Sequence, residues 1–305
     1  MSSSKLRWIS NAVIDRQKWD LCIDNCVWGK VYALSWFLDL ITENQWEALV
    51  VGDYDFIMPV PFRKKYGIRY TYRPNFCQQL GVFAKESNLD PLLLEKFIQE
   101  LLLKYKHIHY PLNHANIGFE SNKVHLKKRT NLVLDLDGTY QTIFENYSGN
   151  LKKNLQKAEK ANLIMGNNVE ADEIITSYKN AWQSLNQIPE SDYLNFKKII
   201  DFGDKKGISE KLAVSRNNEI LACCFLLKYK NRLYYPFSSV TSDGRKYAAT
   251  AFLINNIVQQ YANSDHLFDF EGSDIESVKS FYSKFGPERE YYYHCLLYTS
   301  DAADE

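Results

Sequence analysis

The chain has 305 residues, and its 37 Lys and Arg side chains balance its 37 Asp and Glu side chains. This length fits two domains of ordinary size, and a neutral balance gives no argument for nucleic acid as a partner. No apolar run approaches the roughly 20 residues that a membrane helix needs, and Met1–Lys5 lacks the apolar core of a signal peptide. We therefore expect a soluble, cytoplasmic protein without a membrane span.

The first part of the chain is predicted to contain strands around one helix. Asp90 and Pro91 predict the start of that helix, because Asp is a favoured N-cap and proline is tolerated at the first helical position. An apolar stripe that includes Leu94, Phe97 and Leu101 indicates one buried face. The predicted strands are Trp46–Val51, Asp55–Phe62, Ile68–Arg73, His107–Tyr110 and Asn131–Leu136.

The second part is predicted to open with helices and to continue as an antiparallel meander. The helical patterns lie around Gln141–Tyr147, Leu151–Ala161, Ile174–Trp182 and Tyr193–Ile200. The meander strands are Leu212–Ser215, Ile220–Leu227 and Leu233–Ser239, joined by turns at Asn217-Asn218 and Lys230-Asn231.

A helix, a strand and a last helix complete the second part, at Ala248–Ala262, at His266–Phe270 and after Ser273. Ser273 and Glu276 have the spacing of a capping box for the last helix. We expect an N-terminal domain over 1–136 and a C-terminal domain over 137–294.

The final residues, 295–305, look like the translated read-through of a transposon-type sequencing adapter. We expect the authentic sequence to run off its gene near His294, inside a strand; a genuine acidic terminus is the alternative. Without Asp301, Asp304 and Glu305 the chain has 34 acidic against 37 basic side chains, a net charge of +3. The authentic part of the protein would then be mildly basic.

The cysteines and histidines give no metal motif. The six cysteines contain no CxxC pair, which favours reduced thiols in the core over a zinc site. His107 and His109 alternate along one predicted strand, but no third ligand accompanies them. We predict no metal.

The junction between the meander and the helix at Ala248 has the features of an anion site. The free N–H groups and the dipole at a helix start favour an anion, and the neighbouring cations Arg245 and Lys246 would add to this. The junction and its strand–strand–helix–strand–helix context resemble the GNAT superfamily of acyltransferases, in which this loop holds the pyrophosphate of coenzyme A. The resemblance implies an acyl-CoA donor bound by Ser239, Val240, Gly244, Arg245, Lys246, Tyr247, Ala248 and Ala249.

Ala248 departs from the GNAT pattern, which has glycine at that position. An ordinary helix start with a solvated basic pair is the alternative interpretation of this junction.

The segment Phe281–Gly286 resembles the GNAT stretch whose tyrosine protonates the departing thiolate. Tyr282 falls at that position, and a phenol with a pKa near 10 is a suitable donor to a thiolate. The alternative is that Tyr282 only packs, because it lies on the apolar face of the helix together with Ile275, Val278 and Phe285.

Asp269 and Glu271 end the preceding strand and are expected to share one side of it, because side chains alternate along a strand. We predict that one of them takes the proton of an attacking amine. The alternative is that one carboxylate holds a backbone N–H group and the other is solvated.

A narrower resemblance is to the FemABX-like branch, which has two GNAT-type domains in tandem. Ser148–Lys160 looks like the basic stretch of that branch, with Asn154 where the branch has Arg. The resemblance implies an α+β fold with two tandem GNAT-like domains, each a central, mostly antiparallel mixed sheet flanked by helices. For Lys152, Lys153, Lys157 and Lys160 we favour a solvated helix face over a phosphate site.

These resemblances together predict a bacterial N-acyltransferase that moves an acyl group from acyl-CoA to a small-molecule or cell-envelope amine. Two alternatives remain. One is a non-catalytic GNAT-like binding module. The other is a FemABX-type transferase that uses aminoacyl-tRNA, which we do not favour because the chain has no heptad run for the helical arm of such enzymes.

Overall fold

The computed structural model describes residues 5–85, 89–119, 122–167, 169–182, 187–272 and 275–297. The chain forms two compact units. Unit 1 contains residues 5–129 and 291–297, and unit 2 contains residues 130–290. Residues 291–297 thus group with the first unit, whereas the sequence analysis placed 291–294 in its second domain; the domain division at 136/137 stays a prediction.

Unit 1 is a mixed, mostly antiparallel sheet with helices. Its strands follow the order β1-β2-β3-β4-β6-β13, with β5 beside β3. They are β1 (Arg7–Ser10), β2 (Trp46–Val51), β3 (Phe56–Lys65), β4 (Ile68–Thr71), β5 (Phe83–Ala84), β6 (Ile108–Pro111), the first part of β7 (His125–Asp135) and most of β13 (Glu288–Leu297). The helices are α1 (Arg16–Asn25), α2 (Ser35–Thr42) and α3 (Pro91–Lys104).

The helix α3 begins where the sequence predicts it. Pro91 is its first residue, and the Asp90 carboxylate accepts a hydrogen bond from the Leu92 N–H group. Leu94, Phe97 and Leu101 are buried, which confirms the predicted apolar face. The elements β1, α1 and α2, before Trp46, have no counterpart in the sequence analysis.

Unit 2 has a second sheet in the order β7-β12-β11-β10-β9-β8. The strands are β8 (Ile164–Gly166), β9 (Ser209–Arg216), β10 (Glu219–Tyr229), β11 (Arg232–Val240) and β12 (Leu267–Asp269), with the second part of β7. The helices are α4 (Tyr140–Glu145), α5 (Gly149–Lys160), α6 (Ala171–Trp182), α7 (Glu190–Lys206), α8 (Ser242–Lys246), α9 (Ala249–Tyr261) and α10 (Glu276–Tyr282). Among the described strands of this sheet, only the β11–β12 pair is parallel, so the predicted α+β class with mostly antiparallel mixed sheets is confirmed.

Both faces of the unit 2 sheet are buried, which explains the unbroken apolar run of β10. Ala222, Cys224 and Leu226 belong to the hydrophobic cluster that includes α5 and α9. The Phe225 ring lies on the other face, 5.7 Å from Phe196 of α7. Side chains alternate across a strand, so the adjacent Cys223 and Cys224 do not point the same way. All six cysteines are buried thiols.

The last helix differs from its prediction. α10 begins at Glu276, and its N-cap is Ile275 without a side-chain hydrogen bond. Ser273 lies outside the described residues, so the capping box itself is not observed. Ile275 is 38% exposed rather than buried, whereas Tyr282 and Phe285 are buried as expected.

A buried ion network fixes the end of β12. The Arg232 guanidinium, at the start of β11, contacts Asp269 at 2.6 Å and Glu290 at 2.8 Å. The Asn131 side-chain amide donates to Asp269 at 2.9 Å. Burial opposes the charge of Arg232, but the two carboxylates raise its pKa above the usual value. Because the charges compensate one another and make hydrogen bonds, the network is tolerated inside the protein.

Replacing Arg232 with methionine is expected to lower the free energy of unfolding by about 3–5 kcal/mol, because two buried carboxylates lose their cation. Urea denaturation measures this change. The matched control is Lys279→Met, which removes a partly exposed pair with Glu276 and should cost less than about 1 kcal/mol. An equal effect of the two substitutions would contradict the structural role of Arg232.

Candidate functional site: a cavity beside the second half of β11

The strand β11 diverges from its neighbour after its first residues. β12 pairs in parallel with only Arg232–Tyr234 of β11, while β10 stays paired with β11 as far as Val240. The backbone edge of residues 235–240 therefore extends beyond β12. The Trp182 indole N–H, at the end of α6, donates to the Ser238 carbonyl on β11 at 3.1 Å.

A cavity of about 450 Å³ opens beside this part of β11. Ser238, Ser239 and Val240 form part of its wall, and Trp182 and Ala181 come from α6. Another part is formed by the apolar residues Val278 and Phe281 of α10 and by Ile275, its N-cap. A pocket with several apolar walls and a few polar groups is typical of a small-molecule site.

The loop after β11 is held by tight backbone contacts. Thr241 caps α8: its hydroxyl accepts from the Gly244 N–H group at 3.0 Å, and its own N–H group donates to the Leu221 carbonyl at 2.9 Å. A Cβ atom on Gly244 would lie 2.2 Å from that carbonyl oxygen. Only glycine therefore fits at position 244 without moving the loop against β10.

Ala248 turns the chain from α8 into α9 in a conformation that alanine rarely adopts. Its φ and ψ are 58° and 36°, in the left-handed region, and it is the N-cap of α9. The first N–H groups of an α-helix have no acceptor in the preceding turn. Thr250 and Ala251, in the first turn of α9, line the cavity together with Ala248, so this helix start faces it.

The charged side chains of the cavity are cationic. Arg245 of α8 and Lys157 of α5 line it, and Asn154 lies one helical turn from Lys157. No Asp or Glu occurs among the described residues that line the cavity. Two cations beside a helix N-terminus make this end of the cavity suited to an anion.

Tyr282 lines the cavity from α10 and is 8% exposed. Its ring centroid lies 4.8 Å from that of Phe270. Burial raises the pKa of Tyr282 to about 12, and a hydrogen bond with the Ser238 side chain opposes part of that rise. The phenol is therefore protonated at neutral pH, as a proton donor must be.

The structure brings together six of the predicted site residues in this cavity, namely Ser239, Val240, Gly244, Arg245, Ala248 and Tyr282. Three others lie elsewhere. Lys246 is exposed over the Tyr247 ring, the Tyr247 hydroxyl accepts from Arg216 at 3.3 Å, and Ala249 is fully buried.

The predicted arrangement of Asp269 and Glu271 is wrong. The strand ends at Asp269, and Glu271 has a φ of 62°, so alternation along a strand does not apply to Glu271. Asp269 is 1% exposed, is paired with Arg232, and accepts from the Glu271 N–H group at 2.9 Å. Its role in the fold is that of a buried counter-ion and turn cap.

Asn154, Lys157, Trp182 and Ser238 line the cavity but were not chosen as site residues from the sequence. Asn154 and Lys157 are three residues apart, which places them on one face of α5. That spacing, within the basic stretch Ser148–Lys160, is the sequence pattern that could have identified both residues as part of the site. No comparable pattern marks Trp182, because its position depends on how α6 packs against β11.

No protein-family model matches the chain, and no curated protein matches it. Among the described residues, no group of three or more His, Cys, Asp or Glu side chains has the arrangement of a metal site. In the same part of the chain, no helix combines the length and apolarity that crossing a membrane requires.

Solved structures share the fold at low sequence identity. A crystal structure of FemX is 11% identical, with a TM-score of 0.64, and the match covers 92% of this chain and 96% of that one. The C-terminal domain of a putative lysylphosphatidylglycerol synthetase from Agrobacterium fabrum is 14% identical, with a TM-score of 0.59 and coverage of 96% and 94%. A tandem GNAT protein from the clavulanic acid biosynthesis pathway is 10% identical, with a TM-score of 0.54 and coverage of 97% and 100%.

Ala248→Gly is expected to raise the free energy of unfolding by about 1 kcal/mol, because glycine adopts the left-handed conformation without the steric cost that alanine has. The neighbouring Ala249→Gly is the control and should lower it by about 0.5–1 kcal/mol or more, since Ala249 is helical and fully buried. Thermal or urea denaturation of both variants checks the opposite signs. A loss of stability in Ala248→Gly would contradict the assigned backbone conformation.

The strand order, the mixed sheet that opens at β11 and the agreement with these structures lead to one conclusion: the chain has a GNAT-like fold, which it shares with FemX and with a tandem GNAT protein.

Proposed function

We propose that unit 2 transfers an acyl group from acyl-CoA to an amine acceptor. The observation that carries this proposal is the combination, in one cavity, of a cationic helix start and a buried, protonated Tyr282. Coenzyme A needs both features, because it has phosphates at one end and a thiol leaving group at the other.

The phosphates would bind at the start of α9. Lys157 and Arg245 supply charge-assisted hydrogen bonds, and the N–H groups of the first turn of α9 supply backbone donors. The pantetheine arm would extend along residues 238–240 of β11, whose edge is not covered by β12. The indole of Trp182 already donates to the Ser238 carbonyl, which leaves the other polar backbone groups of this edge for the arm.

In the chemical step, the amine nitrogen attacks the thioester carbonyl carbon, and a C–N bond replaces the C–S bond. Backbone N–H groups at the end of β11 would stabilise the oxyanion. Tyr282 gives its proton to the departing thiolate, and its hydrogen bond with Ser238 orients the phenol. The proton of the attacking amine leaves to solvent, and the phenolate regains a proton. The net products are an amide and coenzyme A.

Asp269 and Glu271 take no part in this proposal. Asp269 is committed to Arg232, and neither carboxylate is among the residues that line the cavity. The acceptor class, a small-molecule or cell-envelope amine, rests on the resemblance to the FemABX-like branch. One fold neighbour is named as a putative lysylphosphatidylglycerol synthetase, which supports a cell-envelope acceptor.

Thermal denaturation with acetyl-, succinyl- and longer acyl-CoAs tests donor binding. A ligand at 100 times its Kd should stabilise the protein by about 2.7 kcal/mol. No shift with any acyl-CoA, together with salt-sensitive binding of charged tRNA, would favour the tRNA-dependent alternative. Binding of acyl-CoA without transfer to any amine would favour the non-catalytic module.

Tyr282→Phe is expected to slow the release of coenzyme A by about 100-fold, because the thiolate loses its proton donor, while the Kd of the acyl-CoA stays unchanged. Since burial raises the pKa of Tyr282 to about 12, the wild-type rate should not fall between pH 8 and pH 10 through loss of this proton. Tyr140→Phe, whose hydroxyl contacts Asn255, is the control. An unaltered rate in Tyr282→Phe would remove this residue from the mechanism.

A further inference from the structure

Unit 1 contains a pair of histidines that the acyl-transfer proposal does not use. His109 lies on β6 and His294 on β13, two antiparallel neighbours. The Nε2 atom of His109 and the Nδ1 atom of His294 are 3.1 Å apart. One ring must donate this hydrogen bond and the other accept it. The contact places the two side chains on the same face of the sheet.

The second ring nitrogen of His294, Nε2, suggests a place where a ligand could bind. His294 is 4% exposed, and its Nε2 atom is buried with no hydrogen-bond partner among the residues that the structure describes. If His109 donates to Nδ1, a neutral His294 carries its proton on Nε2. A buried donor of this kind costs about 1–3 kcal/mol unless an acceptor reaches it.

Three cationic side chains, Arg73, Lys127 and Arg129, act electrostatically on this pair. Lys128 of β7 lies 3.6 Å from the Tyr291 ring of β13, so these two share one face. By alternation, Lys127 and Arg129 lie on the opposite face, together with His294.

Arg73 joins the group from a position two residues beyond the end of β4. This strand pairs with β6 through Thr71 and Ile108, and an Arg73 N–H group donates to the Cys77 carbonyl at 3.4 Å. Burial and then the positive charges of Arg73, Arg129 and Lys127 lower the pKa of His109 to about 4. Burial, the same three cations and His109 lower the pKa of His294 to about 3. Both rings are therefore neutral at pH 7, and the charges that act on them are positive.

We propose that the basic strand face of unit 1, formed by Arg73, His109, Lys127, Arg129 and His294, binds the phosphate or carboxylate group of a small anionic ligand. Arginine forks match the oxygens of either group. In the tautomer in which His109 donates to Nδ1, the Nε2–H of His294 supplies a neutral donor. None of these residues lines the cavity beside β11. The proposal goes beyond the acyltransferase assignment, and its test needs no acyl donor.

Isothermal titration calorimetry with inorganic phosphate and with succinate, at a fixed ionic strength of about 0.15 M, tests the proposal. We expect saturable binding of at least one of the two anions. Binding of phosphate alone assigns a phosphate ligand, and binding of succinate alone assigns a carboxylate. Arg73→Gln and Lys127→Gln should each weaken the affinity by about tenfold, in line with the loss of a charge-assisted hydrogen bond.

Lys128→Gln is the matched control, because it removes the same charge from the same strand on the opposite face and should leave the affinity unchanged. His294→Phe removes the buried donor and should also weaken binding; its circular dichroism spectrum establishes whether it is folded. If it does not fold, the Arg73 and Lys127 variants still decide the outcome. No saturable binding of either anion, or an equal loss in Lys128→Gln and Lys127→Gln, overturns the proposal.

Discussion

The ion pairs of Arg232 determine where the sheet of unit 2 opens. Arg232 holds the last residue of β12, Asp269, and Glu290 of β13 against the first residue of β11. Beyond Asp269 the chain turns away, through Glu271 and Gly272 at positive φ, while β11 continues to Val240. The cavity lies beside residues 238–240, beyond the buried, charge-paired position at which these two parallel strands part. Asp269, which the sequence analysis predicted to act on the substrate, thus instead fixes the end of β12 through its ion pair with Arg232.

The two ends of that cavity have different physical characters. The end near α9 has Lys157, Arg245 and a helix start reached through the left-handed Ala248. The strained alanine at this position is the kind of local cost that proteins retain at functional sites. The other end has Tyr282 packed among aromatic rings, where burial keeps its proton in place. An anionic, extended donor with a thiol at one end fits this polarity, which is why we propose acyl-CoA rather than a compact ligand.

Local patterns in the sequence predicted the parts of the fold that local physics determines. The cap at Asp90 and Pro91 and the turn at Asn217-Asn218, with both residues at positive φ, are examples. The fold class came from the resemblance to the GNAT superfamily. The arrangement of Asp269 and Glu271 was predicted wrongly because the sequence does not reveal where β12 ends, nor that the Arg232 side chain pairs with Asp269. The position of Trp182 in the cavity could not be predicted for a similar reason, since only the packing of α6 on β11 brings this residue there. His109 and His294, 185 residues apart, could be paired only by the sheet order.

The central claim is that the cationic end of the cavity binds the phosphates of the donor, and a comparison of two ligands tests it most directly. Coenzyme A has these phosphates and pantetheine lacks them. We predict that calorimetry gives coenzyme A at least about tenfold higher affinity than pantetheine. Lys157→Gln or Arg245→Gln should reduce this ratio, whereas Lys160→Gln, on the same helix, should preserve it. Equal affinities for the two ligands in the unsubstituted protein would contradict the account.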